Sequence, residues 1–206
     1  MDKRIAKIQQ NLLDIPQNIE DVVSLKPDLY PTKPSHKKPI DAAVLITLVR
    51  RKTDYSVLYT KRSTDLREHS GQIAFPGGKI DVQDENVAAA ALREANEEVA
   101  MNSDEVQILG YLPTMFTGSN YLITPVVGVI ELSSPFIANP NEVEEIFEVP
   151  LAFLSQNKVY QSFMVTHGGK QQQTWKIEHE NRIIWGITAN LTRAFKDIAL
   201  GGFLHD

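Results

Sequence analysis

Residues 75–98 read FPGGKIDVQDENVAAAALREANEE, and within them Glu94, Glu97 and Glu98 crowd behind a single Arg93. Carboxylates this close repel one another, and like charges one helical turn apart cost about 0.2–0.5 kcal/mol unless something compensates them. Solvent and a cation are the two candidates. At about 100° per residue, a helix over 85–99 turns Ala88, Leu92, Ala95 and Val99 to one side. Glu94, Glu97 and Glu98 then share the other side, and Arg93 lies at its edge, within reach of Glu97 at i, i+4. Taken alone, such a cluster is most often a solvated acidic face. Here it follows the double glycine Gly77–Gly78, and that combination points to a cation. Carboxylate oxygens without His or Cys suit Mg2+ or Mn2+, hard ions that keep water in their shell and take phosphate oxygens on the open side.

The elements that must position this helix fit in one domain, since 206 residues are enough for one well-buried core and short for two. Hydrophobic residues make up 42% and charged residues 23%, the balance of a globular chain rather than a disordered one. A formal net charge of -5 argues against broad electrostatic binding to nucleic acid or an anionic membrane. The absence of cysteine excludes disulfides, thiolate catalysis and thiolate metal sites, and it fits a reducing interior. The opening MDKRIAKIQQNLL lacks the apolar core of a signal peptide, and the longest nearly apolar run, AAVLITLV at 42–49, is too short to cross a bilayer. These features predict a soluble, cytoplasmic protein.

Ile5, Ile8, Leu12 and Ile15 recur at helical intervals and predict an amphipathic helix over 3–14. Pro27, Pro31, Pro34 and Pro39 then predict an extended connector over the surface. Residues 42–50 and 55–61, separated by RKTD, predict a hairpin, and the helix of about 85–99 follows. Further strands are expected at 105–112, 122–131 and 143–149, with a second hairpin, 159–166 and 173–178, flanking HGGK. The tail IIWGITANLTRAFKDIAL has helical spacing. Trp175 and Trp185 are expected in the core or at an interface. His167, His179 and His205 are scattered and take no assigned role. The sum is an α/β domain with a mixed sheet and helices on its faces. It divides into an N-terminal helix and Pro-rich connector, 1–40, and a main unit, 41–206, within a single globular domain.

The stretch GGKIDVQDENVAAAALREANEEVAM resembles the Nudix box, G-x5-E-x7-R-E-U-x-E-E-x-G-U, the signature of hydrolases that cleave nucleoside diphosphates linked to another group. Upstream, LYTKRSTDLREHSGQIAFPGG at 58–78 resembles L-L-T-x-R-S-x3-R-x3-G-x3-F-P-G-G of the coenzyme A pyrophosphatase branch, with Tyr59 standing for the second leucine. The two motifs abut and cover residues 58–101, and IIWGITANL in the tail resembles the branch more loosely. Two positions depart from the box. Counting from Gly78, the first acidic position falls on Asp84, with eight residues before Arg93, whereas Glu85 keeps the spacing to Arg93; the branch is similar in carrying the extra residue. Ala100 replaces the glycine that would let the helix end in a left-handed conformation.

The resemblance implies a Nudix-like α/β/α sandwich with a mixed β-sheet. It implies Glu94 and Glu98 as the principal ligands of Mg2+ or Mn2+, Glu97 as a further ligand or its neighbour, and Arg93 as the cation that orients the glutamates. Glu98, Glu97 and Arg93 would thus carry catalysis. Gly77 and Gly78 would let the backbone approach metal and diphosphate. The general base is either a box glutamate or one of Glu142, Glu144 and Glu145 in NPNEVEEIFEVPL, where the family has a similar acidic stretch. Lys61, Arg62, Arg67 and His69 concentrate positive charge before the FPGG turn, and Arg62 and Arg67 are the expected substrate contacts, since coenzyme A carries a 3′-phosphate besides its diphosphate. The expected reaction is metal-dependent hydrolysis of coenzyme A or acyl-coenzyme A to 3′,5′-ADP and an (acyl-)4′-phosphopantetheine. ADP-ribose or NADH as substrate, and a non-catalytic nucleotide sensor, are the alternatives. The partner would be a small nucleotide, with no nucleic acid or membrane, and the family suggests a homodimer.

Overall fold

The computed structural model describes residues 2–17, 38–66, 69–117, 119–167 and 170–201. Arg67, His205, Pro27, Pro31 and Pro34, and hence most of the expected connector, lie outside the described residues.

Strand β1 (Ile40–Arg50) is buried along almost its whole length, as its unbroken apolar run requires of a strand covered on both faces. It runs parallel to β7 (Tyr121–Ile130), from Ile40↔Tyr121 to Val49↔Ile130. Its C-terminal half forms the expected hairpin with β2 (Tyr55–Arg62), closed by Arg51 N–H to Asp54 O at 2.8 Å. After Val57, β2 parts from β1 and continues against β3 (Ile73–Ala74) on one side and β8 (Val143–Pro150) on the other. The N-terminal half of β1 pairs instead with β4 (Gly77–Lys79). The two halves of the hairpin therefore splay, and the segment carrying Phe75-Pro76-Gly77-Gly78 fills the gap. With β5 (Val106–Tyr111) and β6 (Met115–Phe116) on β7, these strands make a mixed sheet of eight. A separate antiparallel sheet holds β9 (Tyr160–His167), β10 (Lys170–His179) and β11 (Arg182–Trp185).

Among the described residues, four α-helices accompany the sheets: α1 (Lys3–Gln10), α2 (Val87–Val99), the single turn α3 (Leu151–Leu154) and α4 (Gly186–Ala199). One face of the large sheet packs Ala43, Leu45, Val49 and Val126 against Ala90, Ala91, Ala95 and Val99 of α2. The other face packs Ile46, Leu48 and Tyr59 against Ile5 and Ile8 of α1 and Leu191 and Phe195 of α4. The result is the expected α/β/α sandwich. Among the described residues, no helix is long and apolar enough to cross a membrane.

The sequence expectations at 105–112, 122–131, 143–149 and the second hairpin fall on β5, β7, β8 and β9–β10. Two expectations are corrected. The first helix ends at Gln10 rather than 14, because Leu13 leaves it to exchange backbone hydrogen bonds of 2.9 Å with Tyr111. Ile15, the last member of its periodic set, is 75% exposed. In the tail, Ile183–Trp185 belong to β11: Ile184 is buried while Ile183 and Trp185 point outward, a period of two, and Gly186 at φ 64° turns the chain into α4. Trp185 thus stands outside the core. Trp175 packs partly against the core and lies under Arg193, whose guanidinium carbon is 3.6 Å from the ring centre.

Candidate functional site

Helix α2 begins where Asn86 accepts from the Ala89 N–H at 2.9 Å, which leaves Glu85 outside the helix and exposed. That cap settles which acidic residue serves Arg93. Asp84 takes Nε and Nη2 of Arg93 at 2.9 and 3.0 Å in a two-pronged contact, and also accepts the Asp81 N–H at 2.8 Å. The hydrogen bonds from Arg93 hold the Asp84 carboxyl below the usual range. Arg93 further donates to Glu94 at 3.0 Å, to Glu97 at 3.2 Å and to the Lys79 carbonyl at 3.1 Å. It is therefore anchored by the turn before α2 and by β4 while it steers two glutamates of the helix.

The three glutamates are not equivalent. Glu97 is half exposed, at the outer rim, and is tied to Arg93. Glu94 is mostly buried, and its burial raises its pKa, with Arg93 opposing that rise and the charges of Glu97 and Glu142 adding to it. Glu98, on the acidic side of the helix, is only 3% exposed, with Arg62 of β2 and the Gly77 backbone of β4 acting on its carboxyl. Asn139 N–H donates to the Glu98 carbonyl at 2.9 Å and Ile137 N–H to the Val99 carbonyl at 3.0 Å. Burial pushes the Glu98 carboxyl up to about 8, against the pull of Arg62. Arg62 Nη1 lies 3.7 Å from Glu98 Oε1, while Glu98 Oε2 and Arg62 Nε are buried without partners among the described residues.

Both glycines of the turn act through space that a side chain would fill. A Cβ on Gly78 would come within 2.5 Å of the Glu94 carboxylate, and one on Gly77, at φ 156°, within 2.4 Å of the Ala43 carbonyl. Gly78 thus makes room for Glu94, and Gly77 lets β4 lie close on β1. At the far end of α2, Ala100 takes the left-handed conformation (φ 52°, ψ 35°) and its N–H reaches the Ala95 and Asn96 carbonyls. The helix exit keeps its form without the glycine.

Of the later glutamates, Glu144 pairs with Lys61 at 2.7 Å, and Glu145 pairs with Arg182, whose Nε lies 3.1 Å away. Of the three, Glu142 is the one whose charge acts on both Glu94 and Glu98. Asn139 Nδ2 donates to Glu142 Oε1 at 3.3 Å, and Ser63 N–H to the Glu142 carbonyl at 2.8 Å. Lys61 is engaged with Glu144, and His69, exposed at φ 56°, meets the Gln72 side chain at 3.0 Å. His179 packs on Phe153, with ring centres 4.6 Å apart. The His167 side chain lies outside the described residues.

Among the described residues, no three His, Cys, Asp or Glu side chains converge as a ready ligand set. Glu94 and Glu97 turn to Arg93, and Glu98 turns to Arg62. The donors still fit a hard divalent cation: among the described residues, Glu98 Oε2 is a buried carboxylate oxygen without a partner, and the missing side chain of Gly78 leaves space for the Glu94 carboxylate. Asn139 was not legible in the sequence as part of this site; its only signal is the Asn-Pro-Asn turn just before Glu142.

A turn of paired glycines, a glutamate-bearing helix and an orienting arginine on an α/β/α sandwich define a family, and the comparisons identify it. Residues 39–164 match the NUDIX domain, and the chain belongs to the Nudix family. It is 40% identical over 169 residues to the Nudix hydrolase NudL of Escherichia fergusonii, covering 82% of this chain and 86% of that protein. It is 43% identical over 152 residues to NudL of Salmonella paratyphi B, covering 74% of this chain and 79% of that one. Among solved structures, a MutT/nudix family protein from Enterococcus faecalis aligns with a TM-score of 0.52 at 14% identity, over 99% of this chain and 75% of that one, a likeness of fold. The chain groups with the Nudix hydrolases, which generally use divalent metal ions.

Proposed function

We propose that this protein hydrolyses the diphosphate of coenzyme A or an acyl-coenzyme A, with Mg2+ or Mn2+, giving 3′,5′-ADP and the (acyl-)4′-phosphopantetheine. The observation that carries the reading is the meeting of Arg62 with Glu98 at 3.7 Å. It joins the 58–78 motif, which resembles the coenzyme A branch, to the box helix at one contact, with an unpartnered buried atom on each residue. Glu98 and Glu94 would hold the metal, and Glu97 stands at its outer side. A bound divalent ion would neutralise diphosphate charge and make water a nucleophile near neutral pH. Arg93 fixes the rotamers of Glu94 and Glu97 from the anchor at Asp84. Glu142 faces this group from the opposite loop and is the carboxylate set to take the proton of the attacking water at Oε1 or Oε2. Arg62 would meet diphosphate oxygens from its unpartnered Nε, and Arg67 the 3′-phosphate.

Water adds at one phosphorus, the bridging oxygen leaves with the other phosphate, and two phosphomonoesters result. The reading includes a cytoplasmic location and a single unit in which residues 1–40 lead into a catalytic domain at 41–206; the burial of Ile5 and Ile8 in the main core supports that unit. Product analysis tests the activity. Coenzyme A, acetyl-coenzyme A, ADP-ribose and NADH are each incubated with the protein and Mg2+ or Mn2+. The expected result is 3′,5′-ADP from the coenzyme A substrates at the highest kcat/KM, abolished by EDTA. Faster cleavage of ADP-ribose or NADH would overturn the substrate assignment.

A further inference from the structure

The charge of Glu142, on a loop, acts on the box carboxylates Glu94 and Glu98, and a loop carboxylate needs a fixed direction to work on one water. A single residue supplies that direction. Asn139 N–H is bound to the Glu98 carbonyl at 2.9 Å, so its backbone is fastened to the helix that carries the glutamates. Its own carbonyl accepts from the N–H groups of Glu142 at 3.0 Å and Val143 at 2.8 Å. Its side-chain Oδ1 accepts the Asn141 N–H at 3.2 Å, and its Nδ2 donates to Glu142 Oε1 at 3.3 Å. The amide thus uses its acceptor to close the turn and its donor to aim the carboxylate. Asparagine offers both groups at this reach; aspartate offers the acceptor only.

We propose that Asn139 is a positioning residue that ties Glu142 to the end of the box helix and turns its carboxylate toward Glu94 and Glu98. The proposal rests on the reading of Glu142 as the proton acceptor. It makes a distinction the turn alone does not: a residue that merely shapes the loop should be replaceable by aspartate, while a residue that aims Glu142 should not. Aspartate would keep the Oδ1 acceptor, lose the donor and set a second negative charge against Glu142.

The test is a double-mutant cycle with Asn139→Ala, Asn139→Asp, Glu142→Gln and the Asn139→Ala/Glu142→Gln pair, each checked for an unchanged melting profile in EDTA. Asn139→Ala should lower kcat about tenfold to a hundredfold, the scale of a hydrogen bond to a charged group, with KM within about twofold. Asn139→Asp should lose at least as much. In the Glu142→Gln background, Asn139→Ala should change kcat less than about twofold, because its route is already cut. Mn2+ affinity, measured by calorimetry without nucleotide, should weaken in both single variants and fall no further in the pair. Additive losses in kcat or in Mn2+ affinity, or wild-type turnover by Asn139→Asp, would overturn the proposal. If coenzyme A is not the substrate, the Mn2+ cycle still decides the matter for Asn139, so failure of the substrate reading is seen separately.

Discussion

Arg62 Nη1 and Glu98 Oε1 lie 3.7 Å apart at the junction of β2 and α2, and each residue keeps a second buried polar atom, Nε and Oε2, without a partner. Unpaired polar atoms in a protein interior cost stability, and two on one contact mark a place where folding has been compromised for something else. On the proposed function, Glu98 would meet a cation there and Arg62 a phosphate.

That compromise predicts opposite effects of Glu98→Gln on stability and activity. The amide is nearly isosteric and neutral, so it removes the cost of a buried charge but binds a hard cation poorly. Activity should fall by far more than about tenfold. In EDTA at neutral pH the variant should melt above the wild type. The sign follows from burial raising the folded carboxyl to about 8: wild-type stability is lost as pH rises from the ordinary glutamate range toward that value. The gap between the two melting temperatures should therefore open across that window and close below it. A gap that is flat with pH would remove Glu98 as its source.

Metal should reverse the balance. A ligand that binds only the folded state stabilises it by mass action, so millimolar Mg2+ or Mn2+ should raise the melting temperature of the wild type and leave Glu98→Gln nearly unmoved. Equal shifts in both proteins would place the ion elsewhere.

Much of the fold was legible because its signals are local. The unbroken apolar run of β1, the alternation of β8 and the helical spacing of α2 each follow from burial on known faces. What the sequence could not show was long-range. Leu13 leaves α1 for a partner nearly a hundred positions away, Tyr111. Glu98 lies on the acidic side of a helical wheel and is yet buried, since the wheel contains neither Arg62 nor Gly77. The pairing of Arg93 with Asp84 rather than Glu85 depends on the Asn86 cap and the reach of Arg93, and the ion pairs that engage Glu144 and Glu145 reach to Lys61 and Arg182, far off in the chain. Composition registers none of these.

Tyr59, the one departure in the 58–78 motif, has a structural account. Its ring is stacked between Phe75 and Phe147, with centres at 4.8 and 5.6 Å, and its hydroxyl meets Thr192 of α4 at 3.0 Å. Tyr59→Phe keeps the stack and loses one buried hydrogen bond, an expected cost of about 0.5–1.5 kcal/mol. Tyr59→Leu, which restores the motif residue, leaves a gap between the two phenylalanines and should cost more, about 2–4 kcal/mol. Urea denaturation of the three proteins should give that order; a leucine variant as stable as the wild type would mean that the stack repacks.

Ala100 holds a left-handed conformation that costs a residue with a Cβ about 1–2 kcal/mol. Glycine removes that strain at an entropic cost of about 0.5–1 kcal/mol. Ala100→Gly should therefore stabilise the protein by about 0.5–1 kcal/mol, a rise of about 1–4 °C in melting temperature for a chain of this size. A lower melting temperature would show that the strain is absorbed by the neighbouring backbone.

The two motif arginines should separate by substrate. Arg62 sits against Glu98, where the diphosphate and metal are expected, and Arg67 lies further along the motif. Loss of a hydrogen bond to a charged group converts to about tenfold to 150-fold in kcat/KM. Arg62→Ala should impose a loss of that order equally on coenzyme A and on 3′-dephospho-coenzyme A, since both carry the diphosphate. Arg67→Ala should reduce kcat/KM for coenzyme A by a similar factor and barely affect the dephospho substrate, since only coenzyme A has the 3′-phosphate. Were Arg62→Ala selective and Arg67→Ala uniform, the two roles would be exchanged, and the contact with Glu98 would belong to the edge of the site. Full activity in Arg62→Ala on both substrates would return that arginine to an electrostatic neighbour of Glu98 with no hand on the nucleotide.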